Sequence, residues 1–110
     1  MGMSKTDNYS TKELNISSYA KALAHPARIA IIHYLLNKKE CVCGDIVDEL
    51  PIAQATVSQH LKELKKIELI KGMINGPKTC YCLNMDVWQK VEKEFTALFK
   101  AIEKHKIKCC

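Results

Sequence analysis

Residues 53–66 place the strongest constraint on how this chain folds. Their apolar members Val57, Leu61 and Leu64 recur at steps of three and four, which predicts one buried edge of an amphipathic helix over about residues 54–66. The opposite edge carries small polar side chains followed by lysines. A helix that packs on one side and presents hydrogen-bonding groups on the other suits the major groove of DNA, where base edges are read. The segment therefore predicts a DNA-binding helix.

Length, composition and charge are compatible with that prediction. The chain has 110 residues, enough for one domain with a modest core. Its 47% hydrophobic and 26% charged residues are typical of a globular protein rather than a disordered one. The formal net charge is +5 and comes almost entirely from lysine, because Arg28 is the only arginine. A small basic domain favours a polyanionic partner such as double-stranded DNA.

The six cysteines fall into three pairs, and the surrounding sequence indicates their compartment. No apolar run approaches the roughly 20 residues that span a membrane, and the first 14 residues are too polar for a secretion signal. We therefore expect a cytoplasmic protein without membrane contact. In a reducing compartment, metal binding or redox chemistry is favoured over a disulfide framework. The pairs are Cys41-Val-Cys43, Cys80-Tyr-Cys82 and Cys109-Cys110.

The first half of the chain divides into a polar arm and two helices. Residues 1–14 are predicted to form a flexible polar arm, followed by a helix over about residues 17–24. His25 and Pro26 break this helix, and Pro26 suits the first turn of a second helix that ends near Asn37. The residues of the second helix predicted to face inward are Ile29, Ile32, Leu35 and Leu36.

The second half predicts a helix pair, a hairpin and a long final helix. An extended segment at residues 41–44 leads into a short helix at 45–50, and the 54–66 helix follows a turn. Apolar runs at 69–74 and 79–83 flank Asn75-Gly76-Pro77, which is a β-hairpin pattern. An amphipathic helix then covers about residues 86–106.

These elements predict a mainly α protein with a small β-hairpin, a winged helix-turn-helix. Its domain is expected over residues 15–108, followed by a Cys-Cys tail at 109–110. A chain of this size can hardly bury the apolar stripe of its last helix within itself, so the first and last helices are predicted to form a homodimer interface. Two-fold symmetry then predicts an imperfect palindrome in the DNA, with half-sites about 10 base pairs apart or a multiple of that.

Several segments resemble the ArsR/SmtB family of metalloregulators. Residues 23–36 look like the family's second helix, residues 54–64 like its recognition helix, and Ile70-Lys-Gly with residues 81–83 like its wing. The resemblance covers about residues 17–107 and implies a homodimeric bacterial repressor that leaves its operator when an inducer, often a thiophilic ion, binds. Ala53 stands where the family usually has Ser or Thr, a helix cap weaker by about 1 kcal/mol. Ala55 replaces a frequent Pro.

The DNA contacts divide into base readers and phosphate binders. Glutamine pairs bidentately with adenine, whereas Ser and Thr can hydrogen-bond to several different bases. The base-edge candidates are therefore Gln54, Thr56, Ser58 and Gln59. His60 occupies a matching family position and is an additional candidate. Lysines position a protein on phosphates without reading sequence. The phosphate candidates are Lys62, Lys65 and Lys78, supported by Lys66 and Lys71.

The first cysteine pair is the leading candidate for an inducer site. In an extended segment, Cys41 and Cys43 lie on one face about 7 Å apart, so a bound ion would hold the chain extended ahead of the third helix. The pair resembles the Cys-Val-Cys metal box of arsenic, cadmium and lead sensors. Two thiolates leave trivalent arsenic one ligand short, and Cys109 or Cys110 is expected to close the site, within one chain or across the dimer.

The remaining cysteines and the choice of ion complete the metal prediction. Cys80 and Cys82 share one face of the wing strand, predicted to be exposed, and are secondary ligand candidates. Thiolates without imidazole or carboxylate support favour trivalent arsenic or antimony as inducer, with cadmium, lead or zinc as alternatives. No permanent cofactor is predicted.

Two other functions fit parts of the sequence. A thiol redox-sensing repressor of the same fold would use a disulfide between Cys41 and Cys43 in place of an ion. A thiol metal carrier would use Cys109 and Cys110 as a mobile transfer site, but it leaves the recognition helix without a role. No nucleophile with an adjacent base is present in the sequence pattern, so an enzyme is not expected.

Overall fold

The protein is described here from a computed structural model that covers residues 8–38, 41–43, 46–76 and 78–105, with the side chains of Cys43, Asn75 and Lys78 outside that description. In this part of the chain, the elements are α1 (Thr11–Ala22), α2 (Pro26–Leu36), β1 (Val42–Cys43), α3 (Ile46–Glu49), α4 (Gln54–Lys66), β2 (Ile70–Asn75), β3 (Lys78–Leu83) and α5 (Met85–Lys104). The helix pair α3 and α4 followed by the β2–β3 hairpin is a winged helix-turn-helix, as the sequence predicts.

α1 begins earlier than predicted, at Thr11 rather than near residue 17, and it ends at Ala22. A capping box explains the early start. The Glu13 backbone N–H donates to Ser10 Oγ at 3.1 Å, and the Ser10 backbone N–H donates to Glu13 Oε1 at 3.0 Å. These two bonds satisfy amide groups that a helix start leaves unpaired. Placing residues 11–14 in the polar arm was therefore wrong, although the Ser-x-x-Glu pattern was visible in the sequence.

α2 begins at Pro26 as predicted, and its inward face is largely the predicted one. Ile32 and Leu35 are buried, and Ile31 is completely buried beside them. Leu36 is 60% exposed, so its predicted inward position was wrong. Successive helix residues point about 100° apart, and the core side of the last turn is already taken by Leu35.

The core forms where α4 packs against α2, α3 and β2. The predicted apolar edge of α4 supplies it, since Val57 and Leu64 are fully buried and Leu61 is 3% exposed. α4 ends in a tight turn in which the Leu69 backbone N–H donates to the Leu64 carbonyl at 3.0 Å. Glu68 has a φ of 66° in this turn, a left-handed conformation that costs a non-glycine residue about 1–2 kcal/mol.

The sheet has three strands in the order β1-β3-β2, not two. β2 and β3 form the predicted hairpin, and Gly76 takes the positive φ of 67° that its turn requires. β1 pairs antiparallel with β3, with Val42 opposite Tyr81 and Cys43 opposite Cys80. An extended segment was predicted at β1, but its pairing with the wing was not. The pairing joins the chain just before α3 to β3, which is the central strand of the sheet.

α5 begins at Met85 and ends at Lys104. Val91 is buried in the core, and Trp88 Nε1 donates to the Leu69 carbonyl at 2.9 Å, which fixes α5 to the start of the wing. Farther along the helix, Phe99 and Ile102 are 60% and 62% exposed. Of the helices in the described part of the chain, none is both long and apolar enough to cross a membrane.

Candidate functional site

The outer face of α4 is open to solvent. All of its predicted DNA-contacting side chains except His60 are exposed, namely Gln54, Thr56, Ser58, Gln59, Lys62 and Lys65. Ala53 is the N-cap and makes no side-chain capping bond, as the sequence predicts. The first turn of α4 therefore presents amide groups without a side-chain partner beside Gln54 and Thr56.

Gln59 makes a contact that the sequence reasoning did not include. Its Nε2 donates to Glu63 Oε2 at 3.1 Å, one helical turn along the exposed surface. This bond holds the Gln59 amide parallel to the helix axis. To contact a base, the Gln59 amide must therefore break its hydrogen bond to Glu63.

His60 is half-buried and forms part of a contact between helices. Arg28 Nε donates to His60 Nδ1 at 3.0 Å, and Arg28 Nη1 donates to the Ala22 carbonyl at 3.1 Å. The His25 and His60 rings lie 5.4 Å apart. Burial, then the Arg28 guanidinium and then His25, lowers the pKa of His60 below its ordinary value. The imidazole is therefore neutral at pH 7 and links α4 to the end of α1 and the start of α2.

Lys65 lies against the wing. A Cβ added to Gly72 would stand 3.0 Å from Lys65 Nζ and 3.1 Å from its Cε, so the lysine stem crosses β2 at Gly72, in space that a side chain there would occupy. Lys65 thereby carries positive charge to the junction of α4 and the wing. The side chain of Lys78, the predicted phosphate contact at the wing tip, lies outside the described residues.

Cys41 and Cys82 meet across the β1–β3 pair. Since Val42 is opposite Tyr81, Cys41 falls opposite Cys82 by continuing the register one position. Both are free thiols and half-buried, and the two side chains lie close enough to interact. Burial raises the pKa of the Cys82 thiol, as does its hydrogen bond with Cys41, while Lys71 acts in the opposite direction. The sequence reasoning treated the two pairs separately, because it did not predict that β1 pairs with β3.

The other cysteines differ in position and in state. Cys80 is 3% exposed and disulfide-bonded, so its predicted exposed position was wrong. It alternates with Tyr81 and Leu83, which pack against the core, so the Cys80 side chain lies on the other face of the sheet, as Cys82 does. Cys109 and Cys110 lie outside the described residues. Among side chains that the structure describes, no group of three or more His, Cys, Asp or Glu is arranged to hold a metal ion.

Two solved structures share this architecture. The chain superposes on an ArsR-like transcriptional regulator from Rhodococcus sp. RHA1 with a TM-score of 0.73, over 86% of this chain and 89% of that chain at 16% identity. It also superposes on a homodimeric winged helix-turn-helix DNA-binding domain from Mycobacterium bovis, with a TM-score of 0.60 over 99% of both chains at 22% identity. The shared fold is that of winged helix-turn-helix regulators.

Sequence relatives identify the family. The model of bacterial regulatory proteins of the arsR family matches residues 25–71. The chain is 37% identical to the arsenical resistance operon repressor of Staphylococcus xylosus over 68% of this chain and 69% of that protein. It is 43% identical to the repressor SmtB of Mycobacterium tuberculosis over 57% of this chain, but spans only 46% of that protein. The chain belongs to the arsR family, whose members are transcriptional regulators and not enzymes.

Proposed function

We propose that this protein is a DNA-binding transcriptional repressor that acts in the cytoplasm and leaves its operator when a thiophilic ion binds. The observation that carries the proposal is α4, which buries Val57, Leu61 and Leu64 and exposes polar side chains on its opposite edge. Relatives include an arsenical resistance operon repressor and a cadmium resistance transcriptional regulatory protein. Their names support a soft ion as the inducer.

DNA recognition is assigned to the start of α4. Gln54, Thr56 and Ser58 are exposed within the first two turns, where a recognition helix approaches base edges. Lys62 and Lys65 follow on the same helix and supply phosphate contacts. Lys78, the first residue of β3, is the corresponding phosphate contact of the wing.

We assign dimerisation to α5 together with α1, which packs on it. Leu98, Phe99 and Ile102 expose a continuous apolar surface along the last turns of α5. Asn15 Nδ2 of α1 donates to Glu94 Oε2 of α5 at 3.0 Å, which holds the two helices together beside that surface. The related domain from Mycobacterium bovis is described as homodimeric. A two-fold dimer predicts a palindromic operator.

The donor chemistry fits a soft ion. Cys41 and Cys43 are the proposed ligands, and an ion held there constrains β1 just ahead of α3. Thiolates are the ligands that soft ions prefer over oxygen donors. Trivalent arsenic or antimony is the proposed inducer, with cadmium, lead or zinc as alternatives. The prediction that Cys109 or Cys110 joins the site stays a prediction.

A gel shift tests the function. The protein is incubated under reducing conditions with the DNA upstream of its own gene, with and without arsenite, antimonite, cadmium and zinc. We expect a shifted band without ion and its loss with arsenite or another soft ion. Cys41→Ser should retain the shifted band and lose the response. No binding to this or any related DNA would contradict the proposal.

A thiol redox-sensing repressor is the second candidate, and the disulfide at Cys80 favours it. The predicted disulfide between Cys41 and Cys43 is absent, because Cys41 is a free thiol. Oxidation at Cys80 would act on β3 and so on the wing. Release of DNA by peroxide, together with no release by arsenite under reducing conditions, would select this candidate over the ion sensor.

A further inference from the structure

A basic cavity lies where the end of α1, the start of α2 and the end of α4 meet. Its volume is about 370 Å³, and each of the three helices contributes one cationic side chain to its lining, namely Lys21, Arg28 and Lys66. Among the described residues that line it, Glu63 is the one acidic group. Glu63 already accepts the hydrogen bond from Gln59 Nε2. The cavity therefore has an excess of positive charge, which favours an anionic ligand.

Arg28 is held in position without any ligand. Its Nε donates to His60 Nδ1 at 3.0 Å, and its Nη1 donates to the Ala22 carbonyl at 3.1 Å. These two bonds fix the plane of the guanidinium, which has five N–H donors in all. A guanidinium that is already fixed loses little further freedom when it donates to an oxyanion.

The start of α2 is a second source of positive potential. His25, which lines the cavity, is the N-cap of α2 and makes no side-chain capping bond, and the first turn of α2 contains no acidic residue. The positive end of the helix dipole is therefore not neutralised by the side chains of its own first turn. Helix N-termini bind phosphate through this dipole and through their backbone N–H groups.

The carbonyl groups at the end of α1 also border this region, and they are hydrogen-bonded. The Ala22 carbonyl accepts from Arg28, and the Lys21 carbonyl accepts from the Ala24 backbone N–H at 3.2 Å. These bonds reduce the repulsion that unpaired carbonyl oxygens would exert on an anion. The Lys21 side chain is exposed in the last turn of α1, where it can approach a ligand from solvent.

We propose that this cavity binds a phosphate group, and that the group belongs to the DNA backbone beside the groove that α4 enters. The choice of DNA as the source rests on the proposed function, whereas the phosphate site itself does not. Lys66 supports that choice, because it follows Gln59 by seven residues and both lie on one exposed stripe of α4. The rim of the cavity is thus continuous with the edge of α4 that is proposed to read DNA. Free phosphate offers the same chemistry, so the test has an arm for each source.

The consequence is that α1 and α2 take part in DNA binding. A phosphate held by Lys21, Arg28 and Lys66 contacts three helices at once and fixes the orientation of α4 in the groove. α1 also packs on α5 in the proposed dimer surface, so the same contact connects the DNA backbone to the dimer.

The salt dependence of DNA affinity tests the DNA source. Binding to the DNA upstream of the protein's own gene is measured at several salt concentrations. Lys21→Gln should reduce the slope of log affinity against log salt by about 0.9 for each protomer bound. Lys21→Arg keeps the charge and should retain the wild-type slope. Lys12→Gln removes an exposed lysine at the other end of α1, and this matched control should also retain the wild-type slope.

Inorganic phosphate tests the site without DNA. The full-length reduced protein is titrated with phosphate while the backbone amide signals of Ala27 and Arg28 are followed by NMR. We expect saturable shifts in the wild type and in Lys12→Gln, and their loss in Lys21→Gln. Sodium chloride at the same ionic strength is the control for general screening and should not reproduce the shifts.

The two measurements separate the sources and the two proposals. A smaller slope for Lys21→Gln supports the DNA backbone as the source. Equal slopes together with saturable shifts that depend on Lys21 support the site and contradict the DNA source. Equal slopes without saturable shifts, in a folded Lys21→Gln variant, would overturn the inference. A wild type that binds no DNA contradicts the proposed function, and the phosphate titration then decides this inference by itself.

Discussion

The Arg28–His60 contact gives the most detailed prediction. Arg28→Ala removes the bond from Nε to His60 Nδ1 and the bond from Nη1 to the Ala22 carbonyl. Hydrogen bonds from charged donors contribute about 1.5–3 kcal/mol each. Both bonds are only part-buried, so we expect about 1 kcal/mol from each, below that range, and about 2 kcal/mol from the pair. Arg28→Lys keeps the charge but not the planar fork, and should lose most of the same free energy.

The same contact predicts a dependence on pH. In the unfolded chain, His60 regains its ordinary pKa of 6.5, whereas in the folded protein that pKa is lowered. Below about pH 6.5, the unfolded state therefore binds a proton that the folded state resists, and the free energy of unfolding falls until the folded pKa is passed. Arg28 is one cause of the lowered pKa, so its removal should make this fall smaller.

Urea unfolding at about pH 7.5 and pH 5.5, at one protein concentration, measures both effects. We expect Arg28→Ala to lose about 2 kcal/mol at the higher pH and less at the lower. Lys90→Ala, an exposed lysine on α5, is the matched control and should change stability by less than about 0.5 kcal/mol. An equal loss for Arg28→Ala at both pH values would refute the reasoning about His60.

Four further predictions test other parts of the structure. Ser10→Ala removes the cap of α1 and should cost about 1 kcal/mol of unfolding free energy in urea titrations, whereas no change would show that the α1 start contributes nothing. Glu68→Gly relieves the left-handed conformation and should gain about 1 kcal/mol in the same assay, and a loss would contradict that strain. Phe99→Glu places charge in the exposed apolar surface of α5 and should shift the protein to monomer in sedimentation, and an unchanged dimer would move the interface elsewhere. Lys78→Ala should weaken binding to all DNA sequences and flatten its salt dependence, whereas an unchanged salt slope would count against a phosphate contact.

Local patterns predicted the elements of this fold well. The spacing of Val57, Leu61 and Leu64 gave α4 with its observed bounds, because one buried edge fixes both the period and the orientation of a helix. The turn residues around Gly76 similarly predicted the hairpin. The early start of α1 was also encoded locally, because Ser10 and Glu13 form the Ser-x-x-Glu pattern of a capping box, which the prediction did not use.

Contacts between distant segments were not accessible in the same way. The pairing of β1 with β3 joins residues far apart in sequence, and two residues of extended chain carry too short a pattern to indicate a partner. For that reason, the meeting of Cys41 with Cys82 was missed. The hydrogen bond between Arg28 and His60 was likewise not predicted, because it forms only when α2 packs against α4.

Binding of the Gln54→Ala variant to the DNA upstream of the protein's own gene tests the central claim, that the exposed edge of α4 reads the operator. Loss of one bidentate base contact costs about 1–3 kcal/mol, or roughly 5- to 150-fold in affinity. Gln89→Ala, an exposed glutamine on α5, is the matched control and should bind as the wild type does. We expect Gln54→Ala to weaken binding to this DNA and to leave binding to unrelated DNA unchanged. Equal affinities of Gln54→Ala and Gln89→Ala for the upstream DNA would contradict the claim.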